Sequence, residues 1–309
     1  VGVAECQEKD NMTKRNPKQE GSNLWDCIPQ KGPCPMNCSQ CFYNRVSKCP
    51  DCKGTGAEMF NVKGSCSTCK GKGLIPAFYA GLEPLIPTLG EVRDGIVRMN
   101  CGHDSNFERE LVIETAKKYK HYFFNTSIPR FNFPGPVVFT ANSKEEEYPF
   151  APERQSGWLD CKDYLDNLMF VRLRVSSTNL DKIEWAIQYW TEYKISIVLT
   201  FTAYYEKEKI PGAYIDPNRD GMVVCKSIDS EKDLSNPQLI RCYEWKVRHI
   251  NSYWCPTKEF MKYVLERMKK IGGRLVTICG TPDSNYCRDC RNCETHFWQT
   301  IKHMKEMEK

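Results

Sequence analysis

Between residues 95 and 278 the chain alternates short β-branched runs with stretches of helical periodicity, and that alternation leaves few folds open. Residues 95–100, 136–142, 168–175, 195–201 and 274–278 read as strands. Residues 106–120 carry Leu111, Val112, Ala116 and Tyr119 at helical spacing, and residues 180–193 carry Ile183, Trp185, Ala186, Ile187 and Trp190. Residues 257–271 are amphipathic and stop at Gly272-Gly273. Strands separated by helices pair in parallel, and the sheet closes wholly or partly into a barrel. Counting residues 25–28 as the first strand gives about six βα units. Residues 122–127 also read as a strand, yet only a short Pro-rich stretch separates them from the next. A parallel crossover needs roughly a dozen residues or more, so this segment is expected as a flap or an antiparallel addition.

Cysteine sets the second constraint. There are 18 in 309 residues, a density that a secreted disulfide scaffold would explain. The spacing argues against that class. Cys49/Cys52, Cys66/Cys69 and Cys287/Cys290/Cys293 stand at CX2C intervals, which suit chelation by adjacent thiolates better than bridges between distant loops. No basic stretch runs into an apolar one near the start of the sequence, and no run of about 18 apolar residues occurs. A cytoplasmic, reducing location without membrane contact is expected. The net charge of +5 is modest and its signs are interleaved, so charge alone does not establish nucleic-acid binding.

Cys34, Cys38 and Cys41 form a CX3CX2C run just after the first strand. Three thiolates leave one iron of a four-iron cluster without a protein ligand, whereas a structural zinc takes four closed ligands. The run resembles the cluster motif of the radical S-adenosylmethionine enzymes. That resemblance implies a partial (β/α)6 TIM-like barrel, a 4Fe-4S cluster, bound S-adenosylmethionine, and an electron donor such as flavodoxin or ferredoxin. It further implies reductive cleavage of the cofactor to a 5′-deoxyadenosyl radical that takes a hydrogen atom from substrate.

Active sites of such barrels collect at the C-terminal ends of the strands. Where the family commonly has Gly-Gly-Glu after its second strand, this chain has Asn100-Cys-Gly-His-Asp-Ser105. Gly102 and Asp104 stand in for the family's contacts to the methionyl amino group. Asn142, after the third strand, matches the polar turn beside the cofactor. Arg174 and Ser176 share one face of the fourth strand by alternation, and the resemblance would have them reach the cofactor's carboxylate and ribose, the alternative being an arginine that caps a surface loop. Gln40 occupies the place before the third cysteine where the family usually has an aromatic.

Residues 49–73 contain two copies of CXXCXGXG, one built on Cys49 and Cys52 and the other on Cys66 and Cys69. Each copy is half of a tetrahedral thiolate site, and the glycines let backbone amides approach the sulfurs. The pattern is similar to the zinc domain of the DnaJ chaperones, which carries four such units, and it implies a zinc-stapled hairpin without chaperone activity. Cys279, Cys287, Cys290 and Cys293 are expected to hold a second iron–sulfur cluster or another zinc.

The organisation expected is an N-terminal extension over 1–24, first strand and cluster loop over 25–48, and the inserted knuckle over 49–73. The barrel follows over 74–278, and a C-terminal Cys-rich metal-binding segment with a helix covers 279–309. Aromatics at 122–124, 130–133, 204–205 and 253–254 fall in expected loops beside basic residues, which favours a nucleotide or nucleic-acid substrate over a small neutral metabolite. A peptide-modifying or protein-activating radical enzyme and a non-catalytic zinc adaptor remain open.

Overall fold

The structure, a computed structural model, describes residues 16–31, 34–35, 46–48, 52, 57–58, 61–66, 74–76, 84–141, 165–204, 210, 214–215, 222–226, 239–247, 253–284, 286–307 and 309. The elements run β1 (Leu24–Cys27), β2 (Val46–Lys48), β3 (Ala57–Glu58), β4 (Asn61–Ser65), β5 (Leu74–Pro76), α1 (Leu89–Val92), β6 (Ile96–Met99), α2 (Arg109–Ala116), β7 (Tyr122–Thr126) and β8 (Val137–Ala141). They continue with β9 (Leu168–Val175), α3 (Leu180–Glu192), β10 (Ile197–Phe201), β11 (Tyr214–Ile215), β12 (Met222–Lys226), β13 (Leu239–Lys246) and β14 (Tyr253–Pro256). The chain ends through α4 (Lys258–Gly272), β15 (Val276–Ile278), α5 (Cys287–Cys290) and α6 (Asn292–Met307).

Seven strands form one sheet in the order β1-β6-β7-β8-β9-β10-β15, every neighbouring pair parallel. The sheet curls into a half-barrel. Its convex face is apolar and covered by helices. Val97, Phe124, Val137, Phe139, Val171, Leu173, Ile197, Leu199 and Val276 pack there with Val112 and Ala116 of α2, Ile183, Ile187 and Trp190 of α3, and Val264 and Met268 of α4. Burial on both faces explains the near-continuous apolar start of β9, Leu-Met-Phe-Val.

Local signals fix the helix ends. Thr88 and Glu91 make a capping box at α1, and the Thr257 hydroxyl accepts from Phe260 N at 3.1 Å at the start of α4. At the other end of α4, a Cβ on Gly272 would stand 2.7 Å from Ile187 Cγ2 and closer still to Val276 Cγ2. Gly272 thus permits the close approach of α4 to α3 and β15. Gly272→Ala is expected to cost about 1–3 kcal/mol through overpacking, read as a lower denaturation midpoint at unchanged slope.

The segment 122–127 corrects the sequence reading. It is neither flap nor antiparallel addition but β7, an interior parallel strand with Phe124 opposite Val137 and Thr126 opposite Phe139. The chain returns from β7 to β8 without a helix because two aromatics do a helix's work. Phe131 and Phe133 are buried against the convex face: Phe133 stacks on Phe124 at 4.5 Å, and Phe131 meets Phe139 at 5.2 Å. Arg109 lies over the other side of Phe133, 3.7 Å from its centre. The second helix is also shorter than the expected 106–120, since Asn106 is drawn into the loop, donating to Thr126 Oγ1 at 2.8 Å.

A second correction concerns the aromatics read as loop residues. Phe123, Phe124, Phe131, Phe133, Tyr204 and Trp254 are all buried, so they belong to the core and not to a stacking surface. Tyr204 and Trp254 join through reciprocal backbone hydrogen bonds of 3.0 and 2.6 Å. That bridge lies beside an antiparallel sheet, β11-β12-β13-β14, which separates β10 from α4. The sheet is tied to the barrel through Tyr243, whose ring centre lies 6.0 Å from that of Phe260.

β2 pairs antiparallel with β5 on either side of the expected knuckle, and β3 pairs antiparallel with β4 inside it. Cys52 and Cys66 are buried there, while Cys49 and Cys69 lie outside the described residues. At the C-terminus α6 does not trail from the barrel. It closes the concave side, where Phe297 packs with Leu24, Ile96, Phe123, Val138 and Val198. Among the described residues no helix is long and apolar enough to cross a membrane.

Candidate functional site

The concave face of the half-barrel is layered. Leu24, Ile96, Phe123, Val138, Met169, Phe170 and Val198, sealed by Phe297, make an apolar floor. Farther along the strands the side chains become polar. Asp26 stands opposite Arg98 in the β1/β6 register, and Thr140 opposite Arg172 in the β8/β9 register. Alternation from the floor residues sends these side chains to the same concave side.

Asp26 and Arg98 form a buried ion pair, Nε to Oδ1 at 2.7 Å. Asp26 also accepts from Gln19 Nε2 at 2.8 Å and Asn16 Nδ2 at 3.4 Å. Burial opposes the charge on Arg98, and Asp26 outweighs it, so the guanidinium's pKa is raised well above its ordinary value. Arg172 donates to Thr140 Oγ1 at 3.2 Å. Both arginines reach a small cavity that Cys279, Cys287, Cys290 and Cys293 also line.

Those four cysteines are free thiols, and they differ. Cys279 follows β15 and is exposed, while Cys290 closes α5 and is half-buried. Interaction with Cys290, with Arg172, Lys18 and Arg98 nearby, lowers the Cys279 thiol to about 6 against the opposing effect of desolvation. The same interaction followed by desolvation raises Cys290. Burial raises Cys287 to about 11 and raises Cys293 as well. Cys101, which sequence spacing left outside every group, shares the field of Arg98 and Cys293, and burial pushes it to about 12. Among the described residues no three His, Cys, Asp or Glu side chains are arranged to hold a metal ion.

No family model, no curated protein and no solved structure matches this chain.

The residues singled out from sequence separate into three groups. Cys34 is half-buried in the segment that leaves the C-terminal end of β1, whereas Cys38, Cys41 and Asn142 lie outside the described residues. Asp104 is buried and its carboxylate is occupied by the loop itself. It accepts from Ser127 N at 2.5 Å, Asn106 N at 2.9 Å and Thr126 Oγ1 at 2.9 Å, and burial still raises its pKa. Gly102, at φ +116°, turns the chain before it. Arg174 is half-buried in β9 and its carbonyl accepts from Asn179 Nδ2 at 2.8 Å. Ser176 is buried past the strand end, its N–H donating to Asn179 Oδ1 at 2.8 Å.

The loops at these strand ends hold unfilled acceptors. Gln30 Oε1, Asn100 Oδ1 and Asn125 Oδ1 are buried without a hydrogen-bond partner among the described residues. Their amide nitrogens are all engaged: Gln30 with Phe107 O at 2.9 Å, Asn100 with Ser105 Oγ at 3.2 Å, and Asn125 with Met99 O at 2.7 Å. Buried acceptors left open mark a place where a further donor is wanted. Sequence reading passed over Asp26, Arg98 and Arg172. Their signal is a charge inside a strand that is otherwise apolar, single in Ile-Val-Arg-Met and paired with Arg174 in β9.

Proposed function

We propose that this chain is a radical S-adenosylmethionine enzyme. The observation that carries the reading is a CX3CX2C run leaving the first strand of a seven-stranded parallel half-barrel whose concave face bears charge. The donor set fits the cluster: three thiolates with no fourth cysteine in the run suit an iron–sulfur cube that keeps one iron open. When bound, that cluster and S-adenosylmethionine supply the electron transfer and the deoxyadenosyl radical.

The chain's own residues supply the rest. The helices on the convex side and α6 on the concave side exclude water from the interior, as radical chemistry requires. Arg172 and Arg174 favour an anionic substrate, since a guanidinium matches phosphate or carboxylate in two parallel hydrogen bonds. This supports a nucleotide or nucleic-acid base as the hydrogen donor. An electron donor of the flavodoxin or ferredoxin type and a zinc on Cys49, Cys52, Cys66 and Cys69 belong to the same reading.

Metal analysis of air-free protein tests it. About four irons per chain with a brown absorbance, and 5′-deoxyadenosine formed on adding reductant and S-adenosylmethionine, are the expected result. Colourless protein carrying zinc alone would replace this reading with that of a non-catalytic adaptor.

A further inference from the structure

The C-terminal CX2CX2C run has a second side. Its cysteines line the inner cavity, whereas Arg288 and Arg291, which stand between them in sequence, line a separate cleft of about 260 Å³ with Gly21, Asn23 and Glu294. Both arginines are open to solvent, with side chains 46% and 65% exposed. Their surroundings nonetheless hold them in place. A Cβ on Gly21 would stand 3.0 Å from Arg288 Cδ, and at φ +72° this turn suits a glycine, so the Arg288 stem lies directly over it. The Arg288 guanidinium then rests 4.6 Å from the centre of the Tyr286 ring. Arg291 Nε donates to Glu294 Oε2 at 3.3 Å, and Glu294 Oε1 accepts from Asn23 Nδ2 at 3.2 Å. The carboxylate that lines the cleft is thus already engaged, while the two terminal amino groups of Arg291 have no acceptor among the described residues. Asp289, 4.0 Å from Arg288 Nε, accepts from the Ser284 hydroxyl.

We infer that the cleft between Gly21, Arg288 and Arg291 binds a phosphate group, as a nucleotide or a nucleic-acid backbone carries it. Arg291 supplies the first argument. It follows α5 at φ +51°, a left-handed position that glycine or asparagine usually takes after a helix. A long side chain kept where glycine fits better points to a role for that side chain. The second argument is geometric, since a guanidinium tied down through Nε presents its two terminal nitrogens as one edge, and that edge matches two phosphate oxygens. Size gives the third. The cleft holds a phosphate with its ester arms but falls short of the roughly 300 Å³ at which sites for whole drug-sized ligands begin.

Gly21 and Asn23 precede β1, whereas Cys34 lies past its other end. The cleft therefore needs neither the cluster nor S-adenosylmethionine, and the inference stands if the radical reading falls. Equilibrium dialysis of the full chain tests it, with radiolabelled inorganic phosphate, adenosine monophosphate and a single-stranded oligonucleotide as separate probes and no reductant present. Saturable binding is expected, weakened at least about tenfold by Arg288→Gln and by Arg291→Gly, since each removes a charge-assisted hydrogen bond. Arg291→Gly suits the left-handed backbone, so its denaturation midpoint should hold level or rise, and its weaker binding is then not a folding defect. Similar affinity for the three probes assigns the cleft to an isolated phosphate. Tighter binding of the oligonucleotide, with a steeper dependence on salt, assigns it to a nucleic-acid backbone. No saturable binding of any probe, or binding at wild-type strength by both variants, would overturn the inference.

Discussion

Replacing Cys34 by alanine is expected to remove the iron, about four atoms per chain, and to bring 5′-deoxyadenosine formation below detection. The same loss is expected for Cys38→Ala and Cys41→Ala, because a cube held by three thiolates has no spare ligand. The fold should survive. Cys34 is half-buried beyond the end of β1, and the β1/β6 register from Leu24–Ile96 to Cys27–Met99 does not involve it. Compared as iron-free proteins, where loss of the cluster is common to both, variant and wild type are expected to differ in stability by no more than about 0.5 kcal/mol. Iron content and the denaturation midpoint therefore separate the roles. Iron lost with the midpoint unchanged supports a cluster ligand. Iron retained at wild-type level in all three variants would remove the basis of the radical reading.

Much of the sheet was legible because strands buried on both faces and helices buried on one differ in period. β9 over residues 168–175 and α3 beginning at Leu180 stand where the pattern puts them. β7 was not legible as a parallel strand, since the expected crossover helix is replaced by Phe131 and Phe133, and no local pattern says that two rings can cover a sheet. The antiparallel strands after β10 were hidden for another reason. β13 buries the adjacent pair Cys242 and Tyr243 and exposes Glu244, Trp245 and Lys246, so the two-residue alternation that announces a strand is broken.

The site divides along the same line between local and distant causes. Spacing found the C-terminal cysteines, but their meeting with Arg98 and Arg172 depends on α6 folding back under β9, a contact no short window contains. An aspartate in a loop such as Asp104 reads alike from sequence whether it faces a ligand or caps its own backbone. Here donors from residues 106, 126 and 127 hold its carboxylate. The loop aromatics failed on burial, which again only the assembled sheet reveals.

Asp26→Ala is expected to destabilise the chain by about 3–5 kcal/mol. The carboxylate balances Arg98 at 2.7 Å, and both side chains are buried, at 6% and 10% exposure. Its removal strands a guanidinium that cannot shed its charge by deprotonation, and it deprives the buried Gln19 amide of its 2.8 Å acceptor. The cost is thus that of an uncompensated ion, which differs from the net value of the pair. Removing both charges distinguishes the two. Asp26→Leu combined with Arg98→Met should recover most of the loss, because an apolar pair of similar volume replaces a buried ion pair at little cost. Urea denaturation of the two single variants and the double one gives the coupling directly. Additive losses would mean that Arg98 finds water or another anion in the cavity, and the concave face would then be wetter than the layered interior requires.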